Sequence, residues 1–419
     1  AAKNNVNIVA SEDTSTTNRF VEKTTSGLMG SGGIGFTVGK KMNSTDTDST
    51  TVTQNGSTVG SLQGNTVITA GEKYNQVAST VNSPVGDVSI KAKAVDIVAG
   101  YNTEDSTTTS IQKQKGITIA VSTPVTDALM AAKAVYDGSK DIGKSKNDRV
   151  NAMAVANTAW GAYQAGKGLA SATGMTGSGS GSGGSGVSVS ITYGQSEAKQ
   201  TSVDKAVISV GSTVNAGGKV NITATGAGEN SNINIVGSDV YGGTGAALKA
   251  DNQINIVSAE DVISNRSKNE SYSANAGVAI AFDNGVSFGI TAGGSYGKGK
   301  SNSDTVNQHN SHVGSGGLTT LESGGTTTIA GGQDTGKRVE VDAQDLVIPS
   351  NQDTSKANSQ QFDASLQVTV GYGFSASGSL SASKSKADYA SVGEQSGSIA
   401  GDGGYDVNVK NSTNSIGGI

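Results

Sequence analysis

The sequence predicts an all-β chain: a parallel β-helix solenoid with Gly-rich β-hairpin arms and one short α-helical insertion. Three observations predict it. The short strand VNIV at Val6 returns as VDIV at Val95, INIV at Ile254 and LVIP at Leu346, and self-similarity of this kind marks a repeat architecture. The apolar residues are mostly Val and Ile in short alternating runs, as in strands buried on one face. The composition suits a thin core repeated many times: 60 of 419 residues are Gly, 34% are hydrophobic and 4% aromatic. A chain so poor in large apolar groups can remain disordered, but regular alternation argues for strands.

The four copies begin at residues 6, 95, 254 and 346. Two of the intervals are about 90 residues and the middle one exceeds them by about 70, which points to an insertion. Each unit has a similar order. After the repeated strand comes a polar stretch such as TSTTNR or EDSTTTS, then a Gly-rich arm, then a return to strands. The arms read GSGGIGFTVGKK, GVSVSITYGQSEAK, GVAIAFDNGVSFGITAGGSYGKGKS and LQVTVGYGFSASGSLSASKSK. The returning strands also repeat, GSTVGSLQGNTVITA near Gly56 matching GSTVNAGGKVNITA near Gly211. Within the first unit, Ile68 and Ile90 stand one solenoid step of 22 residues apart. Stacked coils bury alternate Val and Ile and satisfy one another's backbone hydrogen bonds, with Gly and Asn supplying positive φ at the corners.

The insertion covers 123–186 and divides the chain into 1–122, with the first arm, and 187–419, with three further arms. It opens on STPVTDALMAAKAVYDG. Thr123 is a cap, Pro124 suits the first helical position and Asp127 the positive helix end, while Val125, Leu129, Ala132 and Tyr136 form an apolar stripe. A second helix is expected from about Asp148 through Trp160 and Tyr163 to Gly166, followed by the flexible tether GSGSGSGGSG.

Few residues here suit catalysis. Cys is absent and the only His are His309 and His312, in QHNSH, so the familiar nucleophile–base sets lack their parts. A spacing of three places two His on one helical face for a metal, but Asn, Ser and Gly flanks read as loop. Asp46 with Asp48 and Asp402 with Asp406 match no calcium-loop pattern. Arg19, Arg149, Arg266 and Arg338 are too scattered for a sugar-cleaving wall. No catalytic residue, metal site or cofactor is assigned. The formal net charge is −5 with signs mixed throughout; no basic patch is apparent in the sequence, and nucleic acid is not an expected partner. No stretch reaches the roughly 18 apolar residues of a spanning helix, and no signal peptide opens the chain, which reads as an internal piece of something longer.

The arms carry the sharper expectation. Val278, Ile280 and Phe282 alternate, DNG follows, and Val286, Phe288 and Ile290 alternate again, which is the pattern of a hairpin. Val189, Ile191 and Tyr193 alternate in the second arm after Val187, and Val368, Val370, Tyr372 and Phe374 alternate in the last, in a run counted as nine residues from Leu366. Apolar residues alternating with small ones resemble outer-membrane strands, so these are candidate membrane or partner contacts. The competing reading packs the same faces against the solenoid.

Three stretches, GSTVGSLQGNTVITAG, VDIVAGYNTEDS and SASGSLSASKSKADYASVGEQSGSIAGDGGYDVNVK, resemble the haemagglutinin repeats of filamentous haemagglutinins. The closest likeness is to the second repeat region of contact-dependent growth-inhibition exoproteins of the CdiA type, and Ser383 to Gly404 is its most specific part. The resemblance implies a right-handed β-helix with coils of about 20 residues, on the bacterial surface, exported by an outer-membrane transporter of two-partner secretion. It further implies a segment that is not itself an enzyme, that acts at the target cell's outer membrane or on its proteins, and that helps a C-terminal toxin to enter. A passive stalk or adhesin segment is the alternative, and a carbohydrate-active β-helix a more distant one.

Overall fold

A computed structural model describes residues 1–30, 34–122, 187–282, 286–371 and 374–419; the expected helical insertion lies outside them. Among the described residues the chain is almost entirely β, with one 3-10 turn at Gly228–Asn230. Its strands form two sheets, one of 18 parallel strands and one of eight antiparallel strands.

The 18-stranded sheet is the wall of a parallel β-helix. Each coil has three strands, and each strand pairs with its equivalent one coil on: Thr58 with Thr80, Val67 with Ser89, Tyr74 with Val95. Alternate residues point inward and stack in columns. One column runs Ile97, Ile235, Ile256 and Ile329, another Ile90, Ile222, Leu248 and Leu321, all buried. Burying one such side chain contributes about 1.5–3 kcal/mol, so a core one residue thick suffices when repeated. On the outer side of the same strands Asn234 Nδ2 donates to Asp96 (2.7 Å) and Asn255 Nδ2 to Asn234 Oδ1 (2.9 Å). The second position of the VNIV motif is therefore an external amide ladder.

VNIV, VDIV, INIV and LVIP all lie on one wall but occupy alternate storeys. The strands between them are Lys73–Val77, Ile233–Val236 and Thr326–Ala330. Ile233–Val236 is itself INIV, a fifth copy beyond the four at 6, 95, 254 and 346, marked in the sequence by its 21-residue offset from Ile254. Each unit of about 90 residues is thus two coils plus one arm.

At the corner after this wall, serines form a buried column. Ser79 Oγ accepts from Ser57 N, Ser212 Oγ from Ser79 N, Ser238 Oγ from Ser212 N and Ser311 Oγ from Ser238 N. The same hydroxyls donate to the carbonyls of Val77, Val98, Val236 and Val257. A buried backbone N–H without a partner is costly, and the serines satisfy the groups that leave the ladder here. Where the chain turns straight into the next coil, the corner residue has positive φ: Ala78 (45°), Gly237 (53°) and Gly331 (67°). The equivalent residues at the arm-bearing corners, Ala10, Ala99, Ser258 and Ser350, do not, and there the chain leaves the coil.

The four arms are hairpins far longer than their Gly-rich parts: Ser11–Gly30 with Ile34–Asn55, Gly100–Ser122 with Val187–Val210, Ala259–Phe282 with Val286–His309, and Asp353–Gly371 with Phe374–Ser391. The polar stretches TSTTNR and EDSTTTS are the proximal halves of these strands. At about 3.3 Å per residue, a 24-residue strand reaches on the order of 80 Å. The hairpins also pair with one another, forming one continuous sheet. Strand spacing explains this: two coils rise by about 10 Å, the width of two strands, so one hairpin per two coils brings neighbouring hairpins into hydrogen-bonding distance.

Two expectations are corrected. The run from Leu366 to Phe374 is not one strand: Asp353–Gly371 ends before it, and Phe374 lies opposite Val370. Apolar residues on both limbs of a tight hairpin continue the alternation across the turn, so the sequence pattern does not reveal the break. The arms are also not separate hairpins lying against the solenoid; their faces are open, with Phe288, Ile290 and Phe374 exposed by 66%, 69% and 73%.

Candidate functional site

Residues directly opposite in an antiparallel sheet share a face, so the register decides what the arms present. Phe36, Ile119, Ile191, Val278, Ile290, Val370 and Phe374 form one unbroken row across the sheet. Two residues nearer the solenoid lies the row Val38, Ile117, Tyr193, Ala276, Ala292, Val368. Two residues nearer the tips Val189, Ile280 and Phe288 are in register, and beyond them Phe282 pairs with Val286. Twelve of the thirteen candidate contacts therefore belong to one face at the distal end, gathered from three hairpins; Tyr372 lies outside the described residues. The opposite face is polar. Thr37, Thr118, Thr192, Thr291 and Thr369 share a row there, with the Thr37 and Thr118 hydroxyls 2.8 Å apart and Gln367 Nε2 donating to Thr291 Oγ1.

Toward the solenoid the apolar face changes chemistry in order. On the first two arms Lys40 and Lys115 stand opposite each other, two residues beyond the Val38–Ile117 row; on the third come Tyr272 and Tyr296, side by side in the ladder. Tyr272 Oη donates to Glu197 (2.7 Å) and Tyr296 Oη to Glu270 (3.1 Å). These bonds raise both phenol pKa values, and the Tyr272 bond, with Lys113 nearby, lowers that of Glu197. Next come Lys199 and Lys298, then Lys268, Lys300 and Lys384. With Tyr296 and Phe362 they line a shallow depression of about 1050 Å³. The reading that no basic patch exists is thereby corrected: these lysines are up to 185 residues apart in the chain (384 − 199) and only the register assembles them.

The acidic end of the repeated motif has a structural role. Its eighth position is Asp13, Asn102, Asp261 and Asp353 in the four copies. Asn102 Oδ1 accepts from Gln54 N, Asp261 Oδ1 from Ser209 N and Asp353 Oδ1 from Gln308 N, each at 2.7 Å. Each acceptor sits on the outgoing strand of one arm, and each donor on the returning strand of the arm before, just where the ladder between them stops. These side chains clip consecutive arms together at the root. Asp261 also accepts from Ser209 Oγ at 2.5 Å. Asp261→Ala is expected to cost about 2 kcal/mol locally, since hydrogen bonds to a carboxylate are the stronger kind. Amide exchange at Ser209 reads it: the variant exchanges faster there while amides of the Ile235 column keep their protection, and unchanged exchange at Ser209 refutes the clip.

The His pair is divided between two elements. His309 ends an arm strand, whereas His312 lies on the solenoid wall, its Nδ1 2.9 Å from Asp239 and its Nε2 2.9 Å from Glu394. The bond to Asp239, helped by Glu394, raises its pKa to about 9, so it is an ion-paired wall residue. Asp46 and Asp48 lie two apart on one arm strand and share its face, while Lys337 pairs with Asp402 and Arg338 with Asp406. Among the described residues no three His, Cys, Asp or Glu gather as metal ligands.

A haemagglutinin-repeat family model matches residues 189–364. Over its whole length the chain is 34% identical to the tRNA nuclease CdiA of Escherichia coli strain NC101, 31% to the tRNA nuclease CdiA of Yersinia mollaretii and 34% to the 16S rRNA endonuclease CdiA of Enterobacter cloacae. It spans only 13–14% of the length of those relatives. No solved structure matches it significantly. The repeated strand, the alternating-storey arms and this full-length likeness together make the chain a filamentous-haemagglutinin repeat region of the CdiA type.

Proposed function

We propose that this chain is a non-enzymatic segment of a secreted bacterial surface filament, and that its arm sheet engages the target cell's outer membrane to assist entry of a toxin carried elsewhere in the protein. Export through a cognate outer-membrane transporter is part of the same reading. The observation that carries it is the two-faced sheet: an exposed apolar band on one side, Thr, Ser and Gly on the other, at the end of arms held well clear of the solenoid. From the Phe282 row to the Val368 row the band covers about 20–25 Å along the strands, close to the apolar height of an outer-membrane barrel. Exposed apolar patches of this extent mark interaction surfaces. The Escherichia coli NC101 and Enterobacter cloacae relatives are named as nucleases, and in this reading that chemistry resides outside the 13% of their length that this chain spans.

The test is vesicle co-sedimentation. The unaltered chain is expected to partition onto phosphatidylcholine vesicles, and Phe288→Asp with Ile290→Asp to reduce partitioning by on the order of a thousandfold or more, because each charge at the centre of an apolar membrane layer costs about 2–3 kcal/mol. Both positions are solvent-exposed, so the fold should survive. No binding by the unaltered chain would leave the stalk reading in its place.

A further inference from the structure

We propose that the lysine patch below the apolar band is a seat for phosphate-bearing lipid headgroups. The proposal rests on the membrane reading above and names the chemistry that the membrane must supply. Lys199, Lys268, Lys298, Lys300 and Lys384 come from three hairpins and meet on one face. Lys268 and Lys300 are directly opposite each other in the ladder, a placement that destabilises a sheet when both are cationic. Elsewhere in the sheet several cations are paired, Lys113 with Glu197, Lys205 with Asp105, Arg266 with Asp304 and Lys386 with Asp388, while Lys40 and Lys115 are opposed in the ladder as Lys268 and Lys300 are. Among the described residues none of the five patch lysines makes a direct salt bridge, and the depression holds one carboxylate, Glu270, which lies between Lys199 and Lys298 in the ladder. Five lysines against one carboxylate leave a concave site with excess positive charge, which an external anion would offset.

Which anion is decided by what lies beside the patch. On the third arm the order along the strands is apolar band, then paired tyrosines, then lysines, the order found where a protein crosses from hydrocarbon to headgroups to water. The five patch lysines begin six residues beyond Tyr193, about 20 Å along a strand, with Lys40 and Lys115 nearer the band, two residues beyond that row, and flexible lysine stems reach back toward the interface. A nucleic acid would also offer phosphates, but it would leave the adjoining apolar band without a role. A lipid surface uses both.

Binding of the full 419-residue chain is compared on phosphatidylcholine vesicles and on vesicles of phosphatidylcholine and phosphatidylglycerol in equal parts. The parent is expected to prefer the anionic vesicles by about tenfold or more at low salt, with the preference vanishing near 1 M NaCl, where screening acts over only about 3 Å. Replacing the five lysines by Gln is expected to remove the preference while leaving binding to phosphatidylcholine unchanged; circular dichroism and thermal melting check that the variant is folded. Equal binding of the parent to both vesicles, or a preference that survives the five substitutions, overturns the lysine proposal and leaves the membrane reading standing. Absence of binding to either vesicle overturns both. Lysine-dependent capture of single-stranded DNA without vesicle binding assigns the patch to a free polyanion and overturns the lipid proposal.

Discussion

Asp334→Val is expected to stabilise the β-helix by on the order of 4 kcal/mol at about pH 8, and by only about 1 kcal/mol at about pH 4. Asp334 follows an inward column that reads Val81, Val214, Val240, Val313, all buried. It is fully buried; Ser398 Oγ donates to its Oδ2 at 2.7 Å and its Oδ1 has no partner. Burial pushes its pKa from 3.8 to about 7. The folded chain therefore holds a proton that the unfolded chain gives up. The stability this confers is fully present below about pH 4 and is lost as pH rises through about 7, and the separation of the two pKa values corresponds to about 4 kcal/mol. Valine removes the buried charge and completes the column, while half-exposed Ser398 turns its hydroxyl to water. Urea midpoints at the two pH values decide it. A parent stability that is flat from about pH 4 to 8 refutes the buried, uncompensated charge. By contrast Gln76, also buried, stands where its column otherwise has isoleucine and has partners for both polar atoms: it accepts from Tyr74 Oη at 2.7 Å and donates to the carbonyls of Ser79 and Thr213.

Excision of residues 259–310, with Ser258→Gly, is expected to remove the third arm and leave the solenoid folded. The new corner would run Val257, Gly, Ser311, His312, matching Val236, Gly237, Ser238, Asp239 residue for residue. Gly at the first position meets the positive φ that arm-free corners adopt, and Ser311 already occupies the serine column. The arm sheet fares worse. Two arms remain paired as four strands, but the fourth loses its neighbour, and an isolated hairpin is marginal at best in water. Limited proteolysis should cut within 353–391 while the coils resist, and vesicle binding should fall with the broken band. A variant that collapses as a whole would show instead that the coils depend on the arm sheet.

Much of the fold was legible in the sequence because its repeats are local. The period of two in VNIV and its copies reports burial on one wall, and DNG between two alternating runs reports a hairpin that the register Phe282–Val286 fulfils. The terminal Asp or Asn of the motif was legible as a polar corner; that it accepts a backbone N–H from the preceding arm was not, since the donor lies 45 to 52 residues away in all three cases. The candidate contacts were legible one strand at a time. That they share a face could not be read, because facing depends on register between hairpins, and a shift of one residue would turn a whole arm over.

By itself the sequence determined the coil, the alternating Val and Ile that fill it, the existence of arms and the family to which the chain belongs. Its short-range periodicity contains those properties because they depend on neighbours within a few residues or one coil. Only the tertiary structure decided that arms leave on alternate storeys, that four hairpins merge into one two-faced sheet, and that five lysines from distant segments meet beneath the apolar band. The physical reason is the match between the rise of two coils and the width of one hairpin. It places strands from different repeats within hydrogen-bonding distance and fixes the register that no single repeat contains.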